Sequence, residues 1–160
     1  MSRRASIGAG ATLGPNVYLR PETVIGDQAH IGCHVELKKS TVAAGAKVPH
    51  LTYVGDATIG AGSNVGAGTI FANYDGVRKS PTVIGEHAFI GSNTVLVAPV
   101  TVGDGAYTAA GSVIGEDVAA GDLGIARGRQ HNSDGWVLRN REGTRSAAAA
   151  GRAREHAEGE

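Results

Sequence analysis

At 160 residues the chain offers length for one domain with a short tail and not for a second full-sized catalytic domain. Fifteen Lys plus Arg stand against fifteen Asp plus Glu, so no net field gathers nucleic acid or an anionic membrane, and an anionic ligand has to be met by local charge. Cys33 is the only cysteine, which excludes an internal disulfide and a cysteine zinc cluster; with no apolar run of signal-peptide or membrane-spanning length, the expected compartment is the cytoplasm.

Aromatic residues are only 4% of the chain while glycines number 25, so the core must be aliphatic and tightly turned. A repeat meets that demand. From the N-terminus an aliphatic residue, usually followed by Gly, recurs with a small residue four places on: Ile7 with Ala11, Leu13 with Val17, Ile25 with Ala29, Ile31 with Val35. The series resumes at Val42, Val48, Val54, Ile59 and Val65, and again at Ile84, Ile90, Leu96, Val102, Thr108 and Ile114. A period of six fits neither helical spacing nor strand alternation. It fits a three-sided coil in which each hexad is one short strand and one turn, and stacked coils pair as parallel strands about 4.8 Å apart. The fold class is therefore all-β, a parallel β-helix, with the aliphatic residue of each hexad pointing into a triangular core. Gly at the second position is expected to permit a turn that a Cβ would obstruct, and five-residue steps such as Leu37 to Val42 and Val54 to Ile59 have to be absorbed at the turns.

Between Ile70 and Ile84 the rhythm fails, so residues near 71–82 form a protruding loop, and an insertion of this kind in a solenoid is a natural carrier of binding residues. Pro49 replaces the usual Gly after Val48, and His50 takes a turn position that faces outward. The β-helix is expected over residues 1–126, a short irregular arm over 127–145, and a frayed helix or disordered tail over 146–160, where Ala, Arg and Glu leave almost nothing to bury.

Several strings carry a family likeness: Leu19-Arg-Pro, Val35-Glu-Leu-Lys-Lys39, His50-Leu-Thr-Tyr-Val-Gly-Asp56, Gly66-Ala-Gly-Thr69, Asn73-Tyr-Asp-Gly76 and Val97-Ala-Pro-Val-Thr-Val-Gly103. Over about Ile7 to Trp136 the chain resembles the C-terminal acetyltransferase domain of the bifunctional enzyme that acetylates glucosamine 1-phosphate and then uridylylates the product, within the hexapeptide-repeat transferases. The resemblance implies a left-handed helix, a homotrimer with active sites between subunits, and acetyl transfer from acetyl-CoA to the 2-amino group of glucosamine 1-phosphate, a step toward UDP-N-acetylglucosamine and cell-wall polymers. It implies His50 as catalytic base, with Glu36 orienting its imidazole; a base titrating near neutrality suits an amine that must shed a proton. It implies Arg20, Lys38, Tyr53, Asn64 and Lys79 around the sugar phosphate, where Arg grips phosphate bidentately and Lys acts as a point charge. For acetyl-CoA it implies Ala67, Asn73, Tyr74, Ser92, Ala110 and Arg127, the backbone N–H of Ala67 serving the oxyanion, with Trp136 on an arm near the cofactor.

The chain starts almost directly in the hexads without a Gly-rich phosphate loop, so uridylyl transfer is not expected. Two other readings stay open: acyl transfer to a different amino sugar, which the joint presence of the sugar-site residues argues against, and a truncated paralogue without turnover, which His50 argues against. The histidines show no repeated ligand spacing, and no metal is expected.

Overall fold

The computed structural model describes residues 4–158 and divides the chain into two compact units, one ending at Arg127 and one starting at Gly128. Met1 to Arg3 and the last two residues of the expected tail lie outside the described residues.

The first unit is a left-handed parallel β-helix with three faces. Its first face stacks Ser6–Ile7, Val24–Ile25, Thr41–Val42, Ala57–Ile59, Thr82–Ile84 and Val100–Val102 in that order. The second face runs through Thr12–Leu13, Asn64–Val65, Phe89–Ile90, Tyr107–Thr108 and Leu123–Gly124, and the third through Tyr18–Leu19, Ile70–Ala72, Val95–Val97 and Val113–Ile114. Two nine-residue strands, His30–Lys38 and Lys47–Gly55, run without a break around the corner between the second and third faces, which joins both faces into one sheet. Successive coils begin at Ile7, Ile25, Val42, Ile59, Ile84 and Val102, and a parallel bridge from Val102 to Val118 starts another.

The inward residue of each hexad forms the core: Ile25, Ile31, Leu37, Val42, Val48, Val54, Ile59, Val65, Phe71, Ile84, Ile90 and Leu96 are all within 1% of complete burial. Each such side chain contributes about 1.5–3 kcal/mol on leaving water, and every coil supplies three. At the N-terminal end Ile7 is 54% exposed because no coil covers it among the described residues. Most of the small fifth-position residues are buried beside them, and their hydroxyls bond backbone, either locally, as Thr69 Oγ1 donates to Gly66 O at 2.7 Å and Thr94 Oγ1 to Gly91 O at 2.6 Å, or on the next coil, as Ser63 Oγ donates to Gly85 O at 2.6 Å.

The glycine requirement differs from the expected one. Second-position glycines such as Gly66 and Gly91 keep ordinary φ; a Cβ on them would stand 2.5 Å from the backbone N of Ser92 and of Ala110, so the constraint is the close approach of stacked coils. The left-handed backbone falls instead at the fourth position, occupied by Gly62 and Gly68 but also by Asn16, Gln28, His34 and Leu51.

Both five-residue steps and the long insertion occur at one corner, between the third and first faces. Lys39 and Asp56 absorb the shortened turns with φ of 48° each. The insertion is a small antiparallel hairpin: Tyr74 bridges Lys79, Ser80 N donates to Asn73 O at 2.9 Å, and Asp75 Oδ1 accepts from the N–H groups of Val77 and Arg78. Those two donors, Arg78 first, hold Asp75 below the usual carboxylate range.

The second unit holds helices α1 (Trp136–Asn140) and α2 (Arg145–Glu158). Trp136 lies beneath the Arg141 guanidinium, 4.6 Å from the ring centroid, and Thr144 Oγ1 accepts from Ala147 N–H at the start of α2. Among the described residues no helix is long and apolar enough to cross a membrane.

Candidate functional site

The three-sided winding sorts most of the candidate residues onto two corners that flank the third face. At the corner between the third and first faces, Arg20, Lys38 and Lys79 line one open groove of about 830 Å³ with Lys39, Asp56 and Pro81. Residues 59 positions apart in sequence meet here because coils return every 17 or 18 residues and the hairpin folds back beside them. Lys38 Nζ donates to Asp56 Oδ2 at 2.9 Å and to Oδ1 at 3.2 Å, and Asn73 Nδ2 donates to the same carboxylate. The hydrogen bond to Asp56 holds Lys38 above the ordinary lysine value. Burial pushes Asp56 up, but the hydrogen bonds from Lys38 and Asn73 prevail and leave it below its ordinary value. The adjacent Lys38 amine pushes Lys79 below the lysine range, and the Arg20 charge adds to this. Four cations, Arg20, Lys38, Lys39 and Lys79, against two carboxylates, Glu22 and Asp56, leave a positive excess along the groove, which is what an anionic group such as a phosphate requires.

Tyr53 stands on the third face between the corners. Its hydroxyl donates to Asn73 Oδ1 at 3.5 Å, and it meets Asn73 above Gly55, where a Cβ would lie 2.4 Å from the tyrosine hydroxyl. A shallower depression of about 450 Å³ on this face is lined by Tyr18, His34, Glu36, Leu51 and Tyr53.

At the other corner, between the second and third faces, His50 heads a vertical column. Parallel pairing sets Cys33 beside His50. Above it Gly68 N donates to His50 O, Asn93 N to Ala67 O, Gly111 N to Ser92 O, and Arg127 Nη1 to Ala110 O at 3.1 Å. His50, Ala67, Ser92, Ala110 and Arg127 thus occupy five successive levels of one edge, four steps of about 4.8 Å or roughly 19 Å in all. His50, Ser92, Ala110 and Arg127 are exposed along it.

The expected link from Glu36 to His50 is absent. Glu36 pairs in register with Tyr53, past the corner, and its carboxylate accepts from Arg20 Nη1 at 3.1 Å. The contact at the His50 imidazole is Cys33, with Sγ 3.9 Å from Nδ1. Asn64 also falls outside both corners: it lies on the outer side of the second face between Lys47 and Phe89. Tyr74 belongs to the hairpin, where its hydroxyl donates to Gly76 O, and Trp136 belongs to the helical unit. Two site residues carried no assigned role in the sequence. Asp56 gave a signal only as an acid amid basic strings, and Cys33 gave none, since its neighbour is seventeen residues away.

Sequence comparison matches residues 1–97 to the family model described as the GMPPB C-terminal domain, and residues 81–116 to the bacterial transferase hexapeptide (six repeats). The chain is 58% identical over 152 residues to the bifunctional protein GlmU of Rhodococcus opacus (strain B4), covering 95% of this chain and 30% of that protein. It is 56% identical to the bifunctional protein GlmU of Streptomyces griseus, covering 91% of this chain and 30% of that one. The chain thus spans under a third of the length of these curated relatives. Among solved structures, the acetyltransferase domain of PglB from Neisseria gonorrhoeae, in complex with acetyl coenzyme A, superposes with a TM-score of 0.66 at 23% identity, covering 73% of this chain and 55% of that one, a likeness of fold.

Proposed function

Because the chain belongs to the GMPPB C-terminal domain family, we propose that it transfers acetyl from acetyl-CoA to the 2-amino group of glucosamine 1-phosphate, in the supply of UDP-N-acetylglucosamine for the cell wall. The observation that carries this reading is the convergence of Arg20, Lys38 and Lys79 on one groove, across a single face from an exposed histidine. From His50 to Gly55 the strand spans at most about 17 Å, a width that side chains on both edges narrow to that of a sugar phosphate. The phosphate sits in the groove, Tyr53 beneath the ring, and the amine toward His50.

In the reaction the amine nitrogen forms a bond to the thioester carbon and its surplus proton passes to the His50 imidazole. The tetrahedral oxyanion is met by the Ala67 N–H. Collapse breaks the carbon–sulfur bond, and the proton leaves with the CoA sulfur. The pantetheine arm follows the corner past Ser92 and Ala110, with Arg127 at the far end meeting CoA phosphate, while Asn73 and Tyr74, on the cation edge of their own chain, reach acetyl-CoA only across a subunit boundary. Asn64 faces away from the groove of its own chain, so its role falls in a site shared between subunits of a homotrimer. The assembly acts in the cytoplasm, with residues 1–126 as the transferase body and 127–145 as the arm.

The test is release of free thiol from acetyl-CoA by the purified protein with glucosamine 1-phosphate, against glucosamine and a nucleotide-linked amino sugar as competing acceptors. Turnover restricted to glucosamine 1-phosphate is the expected result; equal rates with acceptors lacking the phosphate would overturn the reading.

A further inference from the structure

The residue beside His50 is a thiol on the neighbouring coil, and it is the imidazole's side-chain contact on the Nδ1 side. Cys33 and His50 are direct partners in parallel register, at the same point where both long strands round the corner, and Sγ lies 3.9 Å from Nδ1. Cys33 is half-buried and His50 exposed, so the ring is backed by sulfur on one edge and open on the other. The carboxylate that could have taken Nδ1–H, Glu36, is engaged by Arg20.

A neutral imidazole carries its proton on one nitrogen and its lone pair on the other, and a thiol is both a weak donor and a weak acceptor. If Cys33 donated to Nδ1, the proton would reside on Nε2 and the exposed edge of the ring would have no lone pair to offer. If Nδ1–H points to sulfur, Nε2 presents its lone pair to solvent and ligand. We propose that Cys33 is a positioning residue for His50, accepting Nδ1–H and holding the ring in the tautomer whose outer nitrogen takes the proton. This rests on His50 being the base of the reaction above. Cys33 itself touches neither substrate in this scheme; it acts through the imidazole.

Two readouts test it on the whole 160-residue chain, with Cys33→Ala and Cys33→Ser. The first is the tautomer of His50 in two-bond hydrogen–nitrogen correlation spectra of histidine-labelled protein, the signal assigned by its loss in His50→Gln. The second is steady-state kinetics with acetyl-CoA and glucosamine 1-phosphate. Nδ1–H is expected to dominate in the unaltered protein and in Cys33→Ser, and to give way to Nε2–H in Cys33→Ala. Loss of one weak hydrogen bond predicts kcat lowered about five-fold in Cys33→Ala with KM for both substrates little changed, and largely restored in Cys33→Ser. A Cys33→Ala protein that melts like the unaltered one and keeps both its tautomer and its kcat would overturn the proposal. If the unaltered protein shows no His50-dependent transfer, the enzymatic reading fails while the tautomer measurement still decides the role of Cys33.

Discussion

The corner that carries His50 and the corner that carries Lys38 and Lys79 flank the same face, yet they are made of different material. Along the His50 edge the residues are small, Ala67, Ser92 and Ala110, and what they present is backbone spaced by the stacking of coils. Along the other edge the residues are long and charged, the turns are shortened, and a hairpin is inserted. Regular winding suits an extended, flexible ligand that must be followed level by level; interrupted winding is needed where several cations have to reach one point. The division of labour follows from where a six-residue period is kept and where it is broken.

Substitutions on the two edges should therefore fail differently. The largest effect is expected from His50→Ala: with His50 as the proposed proton acceptor, the substitution should lower kcat by about 10²–10⁴ while leaving KM for glucosamine 1-phosphate close to its original value. A comparable rise in KM would mean that the two edges are not separate in function. On the cation edge, Lys79→Ala or Arg20→Ala should raise KM for the sugar phosphate by about ten- to a hundred-fold, since each charge-assisted hydrogen bond is worth about 1.5–3 kcal/mol, with kcat less affected.

Gly91→Ala probes the stacking itself. The new Cβ would lie 2.5 Å from Ala110 N and 2.6 Å from Thr108 O, both backbone atoms that cannot step aside. Overpacking of this kind should cost about 1–3 kcal/mol and lower the melting temperature by several degrees. An unchanged melting temperature would show that the coils can separate locally.

The smallest effect belongs to Asp56 and pH. Its folded pKa is lowered, so the stability from the ionised carboxylate is fully present above the ordinary value of 3.8 and is lost as pH falls through the folded value. Asp56→Asn should flatten that acid limb by up to about 1 kcal/mol in urea titrations below pH 4. An identical acid limb in both proteins would remove Asp56 as the counter-charge of the groove.

Much of the prism was legible in the chain, because the inward aliphatic of each hexad, from Ile25 to Ile114, has no other way to leave water than in a three-sided coil. The hairpin was legible as a break in period, and His50 as an outward turn residue. The Glu36 assignment could not be corrected from sequence. Three residues later or earlier along a strand that rounds a corner means a different face, and only the register decides that Glu36 meets Arg20 while Cys33 meets His50. The glycine rule was similarly incomplete, since a steric limit between coils and a dihedral requirement within a turn leave the same letter in the sequence.

What the sequence determined by itself is the period, and with it the solenoid, its aliphatic interior and the sites of interruption, because burial of one residue in six is a local pattern. What the tertiary structure alone decided is which side chains share a level. Contacts between Lys38 and Asp56, or Cys33 and His50, depend on whether a turn takes five residues or six. That difference is small in the chain, and it is carried up through every coil stacked on it.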